Sequence, residues 1–347
     1  MAFLTENEIL NLRITNMILH VVGVNEFSAE PARIVEHEQF FIARILDTDI
    51  SPIYSFNESS DTKSQLESIV NGDDSFESIS QSLSQKFSQE HAGNSRDGAF
   101  FIFELVNSEE NCKIYSLIKY DYNEAIEQSD SASGSLLRRI VHAFIADKKA
   151  IQKSALIRIV NGIADLSIST KDRMKRAPEI SDYFAKFLGV TRTLSDRELN
   201  IKTKNVLQDT LSDCKEMISN GNVPAAFRRS IGIVRDRQEI NEETIFDAII
   251  MAVGNPDNEE VQAKIRQVAN RKIRAAKLEG LVFRTDLEVL GRPPLRKVKT
   301  TEGITITYPD DAEGSSIIRT PNVDGGESIT IQTERVTEDC LVRDISR

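Results

Sequence analysis

Glu104 and Lys119 stand on two neighbouring apolar runs, with Asp97 just ahead of them. Two or three carboxylates and a lysine gathered in that way could hold a divalent ion beside a scissile phosphate, which is the chemistry of a metal-dependent nuclease. The chain has 54 Asp and Glu in 347 residues, so such combinations also arise by accident, and an exposed hairpin face is the plainer reading. Other reactive groups are badly spaced for catalysis. Cys112, Cys214 and Cys340 are an odd number of distant thiols, without disulfide or zinc spacing. His20, His37, His91 and His142 are scattered, and His37-Glu38 lacks the second histidine of a zinc helix. Neither a phosphate-cradling glycine loop nor a serine nucleophile elbow occurs. No catalytic residue, metal or cofactor is expected, and the chain reads as a non-enzyme.

Charge is the stronger signal. The net charge is −11, and residues 1–130 carry about fifteen more acidic than basic side chains. Two later stretches reverse the sign. Residues 138–176 hold Arg138, Arg139, Lys148, Lys149, Lys153, Arg158, Lys171, Arg173, Lys175 and Arg176 against three aspartates. Residues 264–299 are more basic still. Screening limits the acidic part to a reach of about 8–10 Å at physiological salt, so a local basic face can still meet a polyanion. Lys264, Arg271 and Arg274 share one side of a helix, flanked by Arg266 and Lys277 and opposite an Ile265/Val268/Ile273 core face. Arg284, Arg292, Arg296, Lys297 and Lys299 continue the same sign past the helix, with Pro293-Pro294 stiffening the path. Spaced cations of this kind are what phosphate binding needs, because each neutralised phosphate releases counterions. Aromatics are only 6% and tryptophan is absent, which disfavours a base-stacking platform.

Periodicity supplies the elements that would position these groups. Residues 12–24 read as an opening strand, too short to span a bilayer. Residues 30–46 have helical spacing, with Pro31 in the first turn, and residues 57–92 read as two polar helices broken at 71–74. Residues 99–106 and 113–120 form a strand pair around a polar turn. Residues 123–135 read as a loop or frayed helix end, and 140–145 and 155–160 as strands around the basic turn at 147–149. Helices are predicted over 178–189, 196–218, 224–234, 242–253 and 255–277, and strands over 280–290, 303–308 and 328–333. The class is α+β: a mixed sheet-and-helix N-terminal domain (1–170), a helical domain (171–277) and a small β-containing C-terminal segment (278–347).

Four segments carry a family resemblance. They are 14–22 (ITNMILHVV), 97–105 (DGAFFIFEL), 179–189 (EISDYFAKFLG), and 278–290 (LEGLVFRTDLEVL) followed by 303–308. Together they resemble the bacterial nucleoid-associated proteins of the YejK or NdpA type. The resemblance implies a cytoplasmic, nucleoid-located protein that binds double-stranded DNA, and it carries no catalytic residues across. The expected contacts are backbone phosphates, held by Lys264, Arg266, Arg271, Arg274, Lys277, Arg292, Arg296, Lys297 and Lys299, with a homodimer as a natural way to multiply them. The rival reading is a regulatory module whose acidic N-terminal part binds a basic protein partner, even mimicking DNA. No membrane association is expected.

Overall fold

A computed structural model describes residues 2–340 except 24–25, 91–97, 122, 132–133, 144–146, 219–220, 292–294, 323–324 and 339; over 123–143 it describes backbone only. The chain divides into two compact units, Met1–Asp286 and Leu287–Arg347.

The first unit is built on an antiparallel sheet of β1 (Arg13–Val22), β2 (Tyr54–Phe56), β3 (Gly98–Val106), β4 (Cys112–Asp121), β7 (Ile151–Val160), β9 (Ser167–Asp172) and β10 (Val190–Arg192). Their order is β1-β3-β4-β7-β9-β2-β10, with β8 (Ile163–Ala164) paired to β7. The near-continuous apolar run of β3 is explained by burial on both faces. Phe101 and Phe103 lie 5.3 Å from Phe41 of α2 (Glu38–Leu46). On the other face Phe100 stacks at 4.3 Å on Phe87 of α4 (Phe76–Glu90), which meets Phe187 of α5 (Asp182–Leu188) edge-on at 5.0 Å. The polar helices α3 (Asp61–Asn71) and α4 therefore need only narrow apolar stripes: Leu66, Leu83 and Phe87 are fully buried. Before β1, α1 (Glu6–Asn11) opens with a capping box between Thr5 and Glu8.

The helical part of the same unit comprises α6 (Asp196–Asp213), α7 (Val223–Arg235), α8 (Glu242–Val253) and α9 (Glu259–Ala275). Each start is fixed by a side chain accepting orphan N–H groups, from Ser195, Asn222, Asn241 and Asn258 respectively. Their buried faces include Leu207, Phe227, Ile249, Ile265 and Ile273. The second unit holds the short α10 (Leu287–Leu290) and two hairpins, β13 (Leu295–Lys299) with β14 (Thr305–Pro309) and β15 (Ile317–Pro321) with β16 (Glu327–Ile331).

The α+β class holds, and four local expectations are corrected. The helix predicted over 30–46 begins only at Glu38, because the segment before it runs along β1, where the Arg33 N–H donates to the Met17 carbonyl at 2.8 Å, and His37 turns through φ +52°. The loop expected at 123–135 is largely strand: β5 (Asn123–Ser131) pairs with β6 (Gly134–Ala143), so backbone pairing prevails over a polar composition. The helix expected from Pro178 starts at Asp182, with Gly189 as its left-handed C-cap. The strand expected over 280–290 shrinks to β12 (Phe283–Arg284), paired with β11 (Glu239–Ile240), and is followed by α10.

Candidate nucleic-acid interface and a basic cleft

On α9 the helical period separates a core edge from a cationic one. Ile265, Ala269 and Ile273 are buried, whereas Lys264, Arg266, Arg271 and Arg274 are exposed, as is Lys277, which lies past the end of the helix at Ala275 with φ +57°. Most of these cations already have anions. Arg266 lies 3.7 Å over the Phe246 ring and 3.1 Å from Glu243. Arg271 and Lys272 share Asp213 at 3.2 and 2.9 Å. Arg274 bridges Glu6 at 2.8 Å and Glu279 at 3.0 Å. Lys264 and Lys277 have no carboxylate partner among the described residues. The three paired guanidiniums keep 45–70% of their side-chain surface in water. Exposed pairs of this kind contribute only about 0–1 kcal/mol each and are open to exchange for another anion.

In the second unit the alternation of β13 sorts the predicted residues. Lys297 and Lys299 fall on its exposed positions, while Arg296 turns to the other side and bonds Asp310 at 2.6 Å and Glu313 at 2.8 Å. Asp310 is buried, so this is a structural pair. Arg292 lies outside the described residues, as does Asp97.

The nuclease constellation is not brought together. Glu104 is opposite Tyr115 and Lys119 is opposite Phe100, four residues along the hairpin, a separation of about 13 Å at the rise of a strand. Glu104 is instead saturated by Lys113 (2.8 Å), the Tyr115 hydroxyl (3.0 Å) and the Thr15 hydroxyl (3.0 Å). Burial alone would raise its carboxyl, but these donors outweigh it and the net shift is downward. The thiol of Cys112 sits with Glu8 and Glu109, yet Glu8 is already committed to Arg158 through two bonds of 2.6–2.7 Å.

The 138–176 stretch is used differently. Two of its cations are structural: Arg158 on Glu8, and Lys153, which is buried in β7 against Asp172 of β9. The Lys153 ammonium also donates to the Ser181 hydroxyl at 3.0 Å, and the Ser181 N–H donates to Asp172 at 2.9 Å, tying the start of α5 to the sheet. Burial would raise the Asp172 carboxyl, but bonds from Lys153 and Ser181 hold it below its ordinary value, which fits an ion pair.

Four other cations of the stretch, Lys148, Lys171, Arg173 and Lys175, line one cleft of about 360 Å³. The 3₁₀ turn Lys148–Ala150, the start of β7, the end of β9 with the turn after it, and residues 280–282 form its walls. Gly280 is required there: its φ is +71°, and a Cβ would lie 2.7 Å from Ile50. Lys148 pairs with Asp47 at 2.8 Å, and Arg173 with Asp121 at 3.3 Å. Lys171 donates to the Asp47 carbonyl at 3.1 Å, and burial, with Lys148 nearby, pushes its ammonium below the ordinary lysine value. Lys175 is exposed and has no carboxylate partner among the described residues. Gln152, only 3% exposed, also lines the cleft, and its side-chain oxygen has no hydrogen-bond partner among the described residues. Sequence reasoning missed Gln152. Its one signal was an amide within the strand run Ile151-Gln152-Lys153-Ser154-Ala155-Leu156.

No helix among the described residues is long and apolar enough to cross a membrane. A search of curated proteins finds no match to the chain. Residues 30–317, well over half of the chain, match the family model described as nucleoid-associated protein YejK. That match takes in most of the sheet, the helical part, the cleft and the hairpin strand carrying Lys297 and Lys299, and the chain belongs to the nucleoid-associated protein YejK family.

Proposed function

We propose that the chain acts in the nucleoid as a non-enzymatic protein that binds double-stranded DNA through backbone phosphates with little base readout. The observation carrying this reading is the side of α9 that bears Lys264, Arg271 and Arg274, turned to solvent opposite the helix's core edge, in a chain of the nucleoid-associated family. Lys264 and Lys277 meet phosphates directly, and Arg266, Arg271 and Arg274 exchange exposed carboxylates for phosphates. Such an exchange suits weak, salt-sensitive binding, since the outgoing carboxylate is itself an anion that must be rehydrated. On the second unit, Lys297 and Lys299 supply further cations, while Arg296 holds the hairpin's shape. A homodimer would double the number of phosphates engaged.

Titration of a labelled duplex with the purified chain, with and without magnesium, tests the reading. Binding of random-sequence duplexes with similar affinity, and no strand scission in either condition, is the expected result. Absence of binding at low salt would sink the DNA reading. Magnesium-dependent scission would replace it with a nuclease.

A further inference from the structure

The cleft between the Lys148 turn and residues 280–282 brings together cations, an apolar lining and a buried amide oxygen without a hydrogen-bond partner among the described residues. We propose that it is a binding site for a nucleoside phosphate. The inference goes beyond duplex binding and does not depend on it, because the cleft is built from other residues than the α9 row.

Three observations select the ligand's chemistry. First, the cleft has an excess of positive charge. Its carboxylates, Asp47, Asp172 and Glu179, are engaged by Arg44, Lys153 and Arg192, which leaves Lys171 and Lys175 without a carboxylate at ion-pair distance among the described residues. A phosphate dianion would satisfy both, and would restore to the Lys171 ammonium the stabilisation that burial removes. Second, Ile50, Ile151, Pro178 and Leu281 share the lining, so the ligand has an apolar body as well as a charge. A volume of about 360 Å³ lies at the lower end of the usual range for small-molecule sites. Third, the Gln152 oxygen is buried and unpaired among the described residues, and a group in that state requires a donor. Inorganic phosphate would leave the apolar walls empty, and a fatty carboxylate would leave the amide unpaired. A nucleobase supplies both the flat apolar body and the N–H donors, with the phosphate tethered to it.

A free nucleotide and the unstacked terminal nucleotide of a DNA strand share this chemistry, and the two sources are separable. Calorimetric titration of the full chain with each deoxynucleoside 5′-monophosphate should give saturable binding for at least one of them. Ribose 5-phosphate and inorganic phosphate should bind at least about 10-fold more weakly, the equivalent of one hydrogen bond or more. Gln152→Leu should weaken the nucleotide by about 10-fold while leaving the melting temperature unchanged or higher, since it removes a buried amide oxygen that has no partner among the described residues. Lys175→Gln, at an exposed position, should also weaken it about 10-fold, with no risk to the fold. Lys215→Gln, at an exposed position that does not line the cleft, should leave nucleotide binding unchanged.

Competition by a duplex with a 5′-phosphorylated single-stranded overhang, but not by a blunt duplex, assigns the site to a strand end. Competition by neither assigns it to free nucleotide. The proposal is overturned if no monophosphate binds saturably, or if ribose 5-phosphate binds as well as the nucleotides. It is equally overturned if blunt duplex competes as well as the overhang, because the cleft is then one more stretch of general phosphate surface.

Discussion

The two basic stretches have nearly the same composition, yet the fold uses them in opposite ways. Residues 151–172 of the first stretch form β7, β8 and β9 of the sheet, where strand pairing sends cations to different surroundings. Lys153 is sealed against Asp172, whereas Lys171 and Lys175 reach the cleft. Residues 259–275 form a helix, which puts Lys264, Arg271 and Arg274 on one side, and its arginines meet carboxylates from other elements at the surface. A helix of uniform charge presents a row, and a strand of uniform charge presents two environments. The sign of a segment therefore sets what it can attract, and its secondary structure sets whether the result is a surface or a site.

The comparison is broken most severely at the buried pair. Lys153→Met leaves Asp172 charged without its partner inside the sheet and should destabilise the chain by about 3–5 kcal/mol in denaturant unfolding. Adding Asp172→Asn should recover part of that loss. A loss below about 1 kcal/mol would mean that Lys153 is no more structural than the α9 arginines. Next in size is Gly280→Ala, which combines a left-handed backbone with the close approach of Ile50 and should cost about 2 kcal/mol, read as a lower melting temperature.

A smaller effect comes from Asp49, which binds the N–H groups of Phe3 and Leu4 at 2.8 and 3.1 Å. Burial, with Glu279 nearby, pushes its carboxyl up to about 6 from 3.8. Between those two values the native state holds a proton that the unfolded chain has released. Stability contributed by this group is thus greatest below about pH 4, falls as pH rises through the window, and levels off above about pH 6. Asp49→Asn should flatten that part of a stability–pH profile. The smallest effects belong to the α9 surface: Arg266→Gln, Arg271→Gln and Arg274→Gln should each change unfolding free energy by less than about 1 kcal/mol. A larger change at any of them would make its ion pair a folding determinant rather than an exchangeable one.

Much of the fold was legible where the pattern was strong. The bounds of α8 follow from its caps and apolar period, and the β3–β4 hairpin from two apolar runs around a polar turn. Short strands such as β2 and β10 escaped because three residues hold no period, and β5 because polar residues pair through their backbones as readily as apolar ones. That Lys264, Arg271 and Arg274 share one side of α9 could be read from spacing, since a helix places its own faces. That Arg296 would be locked by Asp310 could not, because the partner comes from beyond the hairpin turn. The cleft was illegible for the same reason on a larger scale. Gln152 and Lys171 meet through the pairing of β7 with β9, and residues 280–282 close the wall from more than a hundred positions away.

The most direct test of the central claim, that the α9 row holds DNA phosphates, is the salt dependence of duplex affinity for two variant sets. Replacing Lys264, Arg271 and Lys277 with Gln should reduce the slope of log affinity against log salt by roughly 0.9 for each phosphate no longer neutralised. Replacing Lys148 and Lys175 should leave that slope unchanged. Equal slopes for the wild type and the α9 variant, or a reduction confined to the cleft variant, would contradict the account.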